Sequence, residues 1–309
     1  MAGETGVEQM ASPDADARDG LICAVIAFVL WGVFPLYFIV VREVAATEVL
    51  VHRIIWSVPF GALIIHMRRQ WSEVLEALRH RRTLIYLCMS AIVITSNWLV
   101  YIWAVQIEQI NQASLGYYIN PLLFALAGVI IFGERLRKAQ TVAVILAAIG
   151  VGILTVRAGQ FPGMALFLGC AFAVYGIIRK QVVVGGMPGL FIETLVLVPF
   201  AVCYLLWLEA TGTAAFTLSD PWLAGVLLLA GPLTVTPLLF FALAARRLNL
   251  STVGMMQFIA PTLQFAIAVI YGEELTGAHI ICFALIWLAV FLFSVDAWRT
   301  SRMLARIGI

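Results

Sequence analysis

The residues of this chain that have the chemistry to bind a solute are single polar side chains set inside long apolar runs. They are amides and phenols: Asn97, Tyr101, Tyr117, Asn120, Tyr175, Gln257 and Gln264. Polar groups at membrane depth are costly, and they usually face a bundle interior or a water-filled cavity. We therefore predict that these seven residues bind a substrate. Hydrogen bonding between neighbouring helices is the alternative interpretation.

The spacing of these residues places several of them on shared helix faces. Two runs carry a polar or aromatic side chain four residues before a proline and another three residues after it: Tyr117, Pro121 and Phe124 in one run, Gln257, Pro261 and Gln264 in the other. Asn97 and Tyr101 are four residues apart. Residues three or four apart lie on one face of a helix. The pattern predicts a polar and aromatic stripe on each helix.

Prolines inside the apolar runs indicate where helices bend. Pro121, Pro232, Pro237 and Pro261 all stand within such runs. A proline in a helix removes a hydrogen bond and frees a carbonyl group, which permits a kink. We predict that these four prolines act as hinge or gating positions.

Three ionisable residues also lie within apolar runs, namely His52, Arg53 and Glu193. We assign them to a vestibule or to coupling. Arg53 and His52 are expected to face an outer vestibule or to contact neighbouring carbonyls. Glu193 is expected nearer the other membrane face, where Arg179 and Lys180 could pair with it. We therefore expect no direct contact between Arg53 and Glu193.

The composition makes the chain an integral membrane protein. Of its 309 residues, 63% are hydrophobic and only 12% are charged, with a mean hydropathy of +1.01. Soluble proteins carry about twice that share of charge. A net charge of +2 disfavours nucleic-acid binding. Motifs of the HExxH, GxSxG and Walker types are absent, and the five cysteines are widely separated. We therefore predict no enzymatic activity, metal or cofactor.

The apolar runs predict ten membrane-spanning helices. Each is close to the 20 or so residues that a bilayer requires, and they cover residues 20–41, 47–66, 83–105, 112–132, 139–157, 162–178, 189–210, 221–244, 250–271 and 278–298. Nearly all Lys and Arg residues then fall on one side. Since cytoplasmic loops are rich in these residues, both termini are predicted to be cytoplasmic, as a disordered tail (1–19) and a C-terminal tail (299–309).

The chain contains two copies of one five-helix unit. Val58-Pro59-Phe60 recurs as Val198-Pro199-Phe200, about 140 residues later, and Gly133-Glu134 recurs as Gly272-Glu273 in the same order. The units cover residues 20–157 and 158–298. Five is an odd number of spans, so the second unit must be inverted in the membrane. Inverted repeats are typical of transporters that alternate access to a central site.

Several longer segments together resemble one family. They are HRIIWS (52–57), NWLVYIWAV (97–105), ASLGYYINPL (113–122), FAVYGIIRK (172–180) and LSTVGMMQFIAPTL (250–263). The chain resembles the EamA-type drug/metabolite transporters, specifically the RarD branch. The resemblance implies a ten-helix, two-repeat bundle in a bacterial inner membrane that moves small molecules, often outward.

We accordingly predict a secondary, non-ATP transporter, an exporter of small organic metabolites or drugs that works by alternating access. Its partners would be a small-molecule substrate and the lipid bilayer. The alternative is a non-transporting structural or sensory membrane protein. The sequence leaves the substrate, the coupling mechanism and the oligomeric state open.

Overall fold

Helices are the only regular secondary structure in the described part of the chain. The computed structural model describes residues 13–132, 136–158, 161–217, 219–245, 247–248 and 256–307, and no strand occurs among them. Their helices are α1 (Pro13–Gly32), α2 (Phe34–Val40), α3 (Ala46–Met67), α4 (Trp71–Arg79), α5 (Arg81–Gln106), α6 (Ile110–Phe132), α7 (Lys138–Ala158), α8 (Gly163–Lys180), α9 (Gly186–Thr211), α10 (Pro221–Leu228), α11 (Ala230–Ala245), α12 (Ile259–Ile270) and α13 (Gly277–Ile307). A helix satisfies its own backbone hydrogen bonds, as lipid requires.

Seven stretches are long and apolar enough to cross a membrane. They are Arg18–Val40, Ala46–Met67, Arg81–Gln106, Lys138–Arg157, Gly186–Thr211, Pro221–Ala244 and Gly277–Asp296. The prediction of an all-α polytopic membrane protein is therefore confirmed. Three further helices, α6, α8 and α12, lie where the remaining spans are predicted, and the total of ten stays a prediction.

Both predicted tails are partly helical where the structure describes them. The first helix begins at Pro13 and the last continues to Ile307, so residues 13–19 and 299–307 extend the neighbouring helices. Residues 1–12 and 308–309 lie outside the described residues.

The bundle has two chemically different ends. One end, which we call the basic end, carries loops 68–70, 136–137 and 181–185, and there Arg137 and Asp296 form an ion pair of 2.7 Å. At the other end, which we call the opposite end, loops 41–45, 107–109, 212–217 and 271–276 meet. There Gln106 Nε2 donates to the Val44 carbonyl at 2.8 Å, and Glu48 Oε1 accepts from Ala215 N at 2.8 Å.

Two predicted spans are interrupted. The first breaks at Val33, between α1 and α2, and the eighth breaks at Leu229, between α10 and α11. Pro232 cannot donate to the carbonyl of Leu228, the last residue of α10. The second break therefore falls where the sequence predicts a hinge, whereas Pro237 lies inside α11.

Glycines bring two of the central helices close together. A Cβ atom placed on Gly116 of α6 would lie 2.7 Å from the carbonyl oxygen of Ala165 in α8. On the α8 side, a Cβ atom on Gly169 would lie 3.0 Å from the carbonyl oxygen of Gly116. Small residues at such crossings let membrane helices approach closely. This crossing lies beside α5, which carries Asn97 and Tyr101.

Candidate functional site

Arg53 lies buried inside α3 among aromatic rings. Its side chain is only 4% exposed, and its Nε donates a 3.0 Å hydrogen bond to Thr234 Oγ1 of α11. The guanidinium carbon lies 4.5 Å from the centre of the Trp98 ring, 5.6 Å from that of Phe38 and 5.8 Å from that of Phe34. Aromatic faces attract cations. In this conformation Arg53 is enclosed rather than facing an outer vestibule.

Three of the predicted binding residues meet between α5 and α6, and we call Asn97, Tyr101 and Tyr117 the central cluster. The Tyr117 hydroxyl donates to Asn97 Oδ1 at 3.2 Å, and Asn97 Nδ2 donates to the Leu168 carbonyl at 2.9 Å. The rings of Tyr101 and Tyr117 are 5.6 Å apart. Asn97 and Tyr101 thus lie on one face of α5, as their spacing predicts, and both contact Tyr117. Among the described residues, the buried Tyr101 hydroxyl has no hydrogen-bond partner.

The central cluster adjoins the Arg53 site. The Phe38 ring, which lies against Arg53, is 5.8 Å from the ring of Tyr101. Arg53 and Tyr117 are each seven residues from the start of their helices at the opposite end, about 10 Å by helical rise. In a bilayer core about 30 Å thick, these groups lie between the opposite end and the midplane.

Tyr175 belongs to a second polar group, nearer the basic end. Its hydroxyl donates to Glu193 Oε2 at 3.3 Å, and its ring contacts Phe172, which in turn contacts Tyr117. Ser90 Oγ donates to Glu193 Oε1 at 2.5 Å. Arg179 Nη1 lies 3.6 Å from the same oxygen.

Glu193 is therefore a buried but partnered carboxylate, only 1% exposed. Gly189 makes room for its counter-ion, because a Cβ atom there would clash with Arg179 Nη1. Arg53 and Glu193 bind different partners, in agreement with the expected separation. The side chain of Lys180 lies outside the described residues.

The predicted residues around Pro261 lie where α12 packs against α1 and α6. Gln264 is 3% exposed and its Nε2 donates to the Trp31 carbonyl at 3.1 Å. Ser114 of α6 donates to the Pro261 carbonyl at 2.8 Å. Gln257 is half-buried in the turn before α12. The described contacts of Gln264 are thus with α1 and not with the central cluster.

Asn120 and Gln264 each keep one buried oxygen without a partner in the described part of the chain. Asn120 stands next to Pro121, near the middle of α6. Two buried amide oxygens without donors are consistent with groups that accept from a solute. The side chains of Pro121 and Phe124 lie outside the described residues.

His52 is enclosed near the opposite end. It is fully buried, Trp56 Nε1 donates to its Nδ1 at 3.0 Å, and its ring is 5.0 Å from Phe216. Because Nδ1 accepts a hydrogen bond, the proton of the neutral ring is on Nε2, which lies 3.9 Å from Glu48 Oε1. The loop 212–217 covers His52, so it does not face an open vestibule in this conformation.

Glu273 joins the two halves of the chain at the opposite end. Its carboxylate accepts from Ile110 N at 2.5 Å and from Asn111 N at 2.8 Å, which satisfies free amides at the start of α6. Burial raises the pKa of Glu273 above its ordinary value, and the two amides partly offset this. Sequence reasoning missed this role, although the repeated Gly-Glu pair marks the residue. Its repeat mate Glu134 lies outside the described residues.

Cavities lined by described residues occur at both ends of the bundle, outside the central cluster. One of about 380 Å³, at the basic end, is lined by residues that include Glu73, Glu76 and His80. A smaller one of about 50 Å³, at the opposite end, adjoins Arg42 and Glu273.

The chain is similar to known bacterial proteins, several of them named as transporters, over most of its length. Residues 18–156 match the EamA-like transporter family. An uncharacterized transporter of Vibrio cholerae is 43% identical over 96% of this chain and 99% of its own. Protein RarD of Escherichia coli is 41% identical over 92% and 97%. The chloramphenicol-sensitive protein RarD of Pseudomonas aeruginosa is 30% identical over 94% and 98%.

A solved structure shares the fold. It superposes with a TM-score of 0.57 at 20% sequence identity, covering 89% of this chain and 97% of the other.

Proposed function

Because the chain belongs to the EamA-like transporter family, in its RarD branch, we propose that it is a secondary transporter that exports small organic metabolites or drugs by alternating access. It is a multi-pass protein of the bacterial inner membrane and a member of the drug/metabolite transporter superfamily. The observation that carries the proposal is the central cluster. With α5 and α6 as spanning helices, the cluster has an amide and two phenols at membrane depth, where only interior or cavity-facing polar groups are tolerated.

The proposed architecture is ten spanning helices in two inverted repeats, residues 20–157 and 158–298. If each helix is replaced by its counterpart in the other repeat, the contact of α1 with α11 becomes the contact of α8 with α5. In the same way, the contact of α3 with α11 becomes the contact of α9 with α5. All four contacts are present. The α6–α8 contact is likewise matched by α12–α1. This pairing supports the repeat that the sequence predicts.

Hydrogen bonds of the buried charges support the same exchange. Arg53 of α3 bonds to a hydroxyl of α11, that of Thr234. Glu193 of α9 corresponds to Arg53 in the second repeat, about 140 residues later. Its carboxylate accepts a hydrogen bond from the Ser90 hydroxyl of α5. In each repeat, a hydrogen bond thus joins the second spanning helix to the third spanning helix of the other repeat.

The proposed orientation places the basic end in the cytoplasm, with the tails 1–19 and 299–309 on that side. Arg68, Arg69 and Arg79 all belong to the segment around α4 at this end. Cytoplasmic loops carry such an excess of basic residues. Export then runs from the basic end to the opposite end.

In the proposed site, the central cluster and Asn120 bind the solute from the first repeat, and Tyr175, Gln257 and Gln264 do so from the second. Pro121, Pro232, Pro237 and Pro261 are the proposed bending points. The helix break at Leu229, three residues before Pro232, supports this role, because sharp kinks in helices usually occur at prolines.

The proposed driving force is the gradient of the solute itself. Arg179, Ser90 and Tyr175 all contact Glu193, which favours a structural role for this carboxylate at the basic end. Proton coupling through Glu193 or His52 is the alternative, since a coupling group must gain and lose a proton on the pathway.

Counterflow in proteoliposomes tests the proposed function. Purified protein is reconstituted with a high internal concentration of one unlabelled compound, and uptake of the labelled compound is followed. A panel of amines, organic acids, amino acids and chloramphenicol is screened, with empty liposomes as control. We expect transient accumulation of at least one class. Failure of every class, with correctly inserted protein, would contradict a transport function.

A further inference from the structure

Among the described residues, Arg53 lacks the counter-charge that a buried cation normally has. Within the described ranges, no carboxylate lies within ion-pair distance of its guanidinium. Arg179, by comparison, lies beside Glu193 at 3.6 Å. An unpaired charge is strongly disfavoured in the apolar part of a membrane. Such a residue points to a ligand that supplies the missing negative charge.

Hydrogen bonding of the guanidinium is also incomplete. It has five N–H donors, and the part of the chain that the structure describes offers it one acceptor, Thr234 Oγ1. The Thr234 hydroxyl donates its own proton to the Ala230 carbonyl at 2.7 Å, which directs a lone pair at Arg53 and orients the guanidinium. The donors on Nη1 and Nη2 remain available. Their planar arrangement matches a carboxylate, which accepts two parallel hydrogen bonds.

The surroundings of Arg53 fit an apolar body attached to that carboxylate. Trp98, Phe38 and Phe34 present rings within 6 Å of the guanidinium carbon. Tyr101 packs against Phe38 and keeps a buried hydroxyl without a partner among the described residues. Rings stabilise the cation and offer apolar contact, but they accept no strong hydrogen bond.

We propose that Arg53 binds the carboxylate of the transported solute, and that the substrate class is a small organic monocarboxylate with an apolar or aromatic body. This inference rests on the proposed transport function. One guanidinium balances one negative charge, and the described residues place no second cation beside it to balance a phosphate. Thr234 is then a positioning residue, and Trp98, Phe38 and Tyr101 line the site.

Ligand-induced thermal stabilisation of the purified protein tests this site without requiring transport. The probes are benzoate, benzamide, which has the same shape without the charge, and inorganic phosphate. We expect benzoate to bind at least roughly tenfold more tightly than benzamide, since hydrogen bonds to a charged group are the stronger ones. Arg53→Gln should abolish this preference, whereas Arg42→Gln, an exposed arginine at the same end of the bundle, should retain it.

Arg53→Lys separates charge from geometry, because lysine keeps the cation but loses the planar fork. We expect it to bind benzoate several-fold more weakly than the wild type does. If Arg53→Gln fails to fold, the proposal is tested by the ratio of the affinity for benzoate to the affinity for benzamide, measured in the wild type and in Arg53→Lys. Equal binding of benzamide, an unchanged preference in Arg53→Gln, or preferential binding of phosphate would overturn the proposal. Counterflow of other solutes without benzoate binding would reject this site alone, while benzoate binding without any counterflow would reject the transport function.

Discussion

At the scale of single residues, the buried polar groups form two sets. Those of one set form hydrogen bonds or ion pairs with one another, and those of the other keep donors or acceptors without a partner among the described residues. Asn97 and Tyr117 form a hydrogen bond, and Glu193 is held by Ser90 and its neighbours. Arg53 has incomplete hydrogen bonding and no carboxylate partner in the described part of the chain. Since an unsatisfied buried group costs more than a satisfied one, the unsatisfied residues are where function is expected.

Tyr117→Phe tests the central cluster. The change removes one hydroxyl and its bond to Asn97 but keeps the ring, so insertion should be normal while transport falls by roughly fivefold, the effect of about one hydrogen bond. Tyr86→Phe, in the same helix as Asn97 but beside Arg82, is the matched control. Gln257→Ala is expected to reduce transport in the same assay. Normal kinetics in both Tyr117→Phe and Gln257→Ala would place the site elsewhere.

Glu273→Gln tests the cap on α6 through its pH dependence. Because burial raises the pKa of Glu273, the native state keeps this proton to a higher pH than the unfolded chain. The group therefore favours the native state at low pH, and this contribution is lost as the pH rises through the raised pKa.

We expect the melting temperature of the wild type to fall relative to that of Glu273→Gln as the pH rises above the ordinary pKa of a glutamate, about 4.3. Glu274→Gln, an exposed neighbour, should retain the wild-type slope. Parallel slopes for the wild type and Glu273→Gln would show that the carboxylate is not buried as described.

At the scale of helices, the close approach of α6 to α8 and the interruption of the eighth predicted span determine how the helices are arranged around the site. The crossing of α6 and α8 depends on two glycines, and the eighth predicted span is broken before Pro232. The crossing keeps α6 and α8 beside α5, and the break lies within five residues of Thr234, which binds Arg53. Local backbone features therefore position the groups that lie between helices.

Gly116→Ala should destabilise the protein although alanine favours helices. The added Cβ atom would lie 2.7 Å from a carbonyl oxygen of α8, and overpacking of this kind costs about 1–3 kcal/mol. Gly152→Ala is the matched control, because nothing lies within 4 Å of its added Cβ atom. It should be neutral or slightly stabilising. Thermal unfolding in detergent measures both, and equal melting temperatures would contradict the tight crossing.

At the scale of the whole molecule, the two ends differ in charge and in the loops that they bring together. The ion pair of Arg137 with Asp296 lies at the basic end, and the contacts of Glu48 and Glu273 lie at the opposite end. Contacts between the two halves thus occur at both ends of the bundle. An alternating-access cycle would have to break and remake some of them.

Reporter fusions test the orientation of these ends. Fusions after residues 75 and 309 should report a cytoplasmic location, and one after residue 215 should report an external one, because residue 75 belongs to the basic end and residue 215 to the opposite end. An enzyme reporter active only in the cytoplasm and one active only outside give complementary signals. A cytoplasmic signal at residue 215 would contradict the ten-span topology.

Transport with and without an imposed pH gradient, at fixed membrane potential, tests the coupling. We expect the rate to follow the solute gradient and to be insensitive to the pH gradient. Glu193→Gln should leave that insensitivity unchanged, and Glu209→Gln, an exposed carboxylate near the other end of α9, is its control. Accumulation that requires the pH gradient and is lost in Glu193→Gln would establish proton coupling instead.

The sequence by itself determined the class of the protein. Its apolar runs are long enough and apolar enough to predict membrane helices, because a segment surrounded by lipid has to form its backbone hydrogen bonds internally. Segments such as NWLVYIWAV also sufficed to identify the family. These properties depend on local composition and order, which one sequence contains in full.

Only the tertiary structure decided which polar residues meet. Helical spacing put Asn97 and Tyr101 on one face, but it did not reveal that Tyr117 lies opposite them, that Arg53 reaches Thr234, or that Glu273 caps α6. Such contacts join residues far apart in the chain. They depend on how each helix is rotated and how closely it packs against its neighbours, which the summed contacts of all the helices determine.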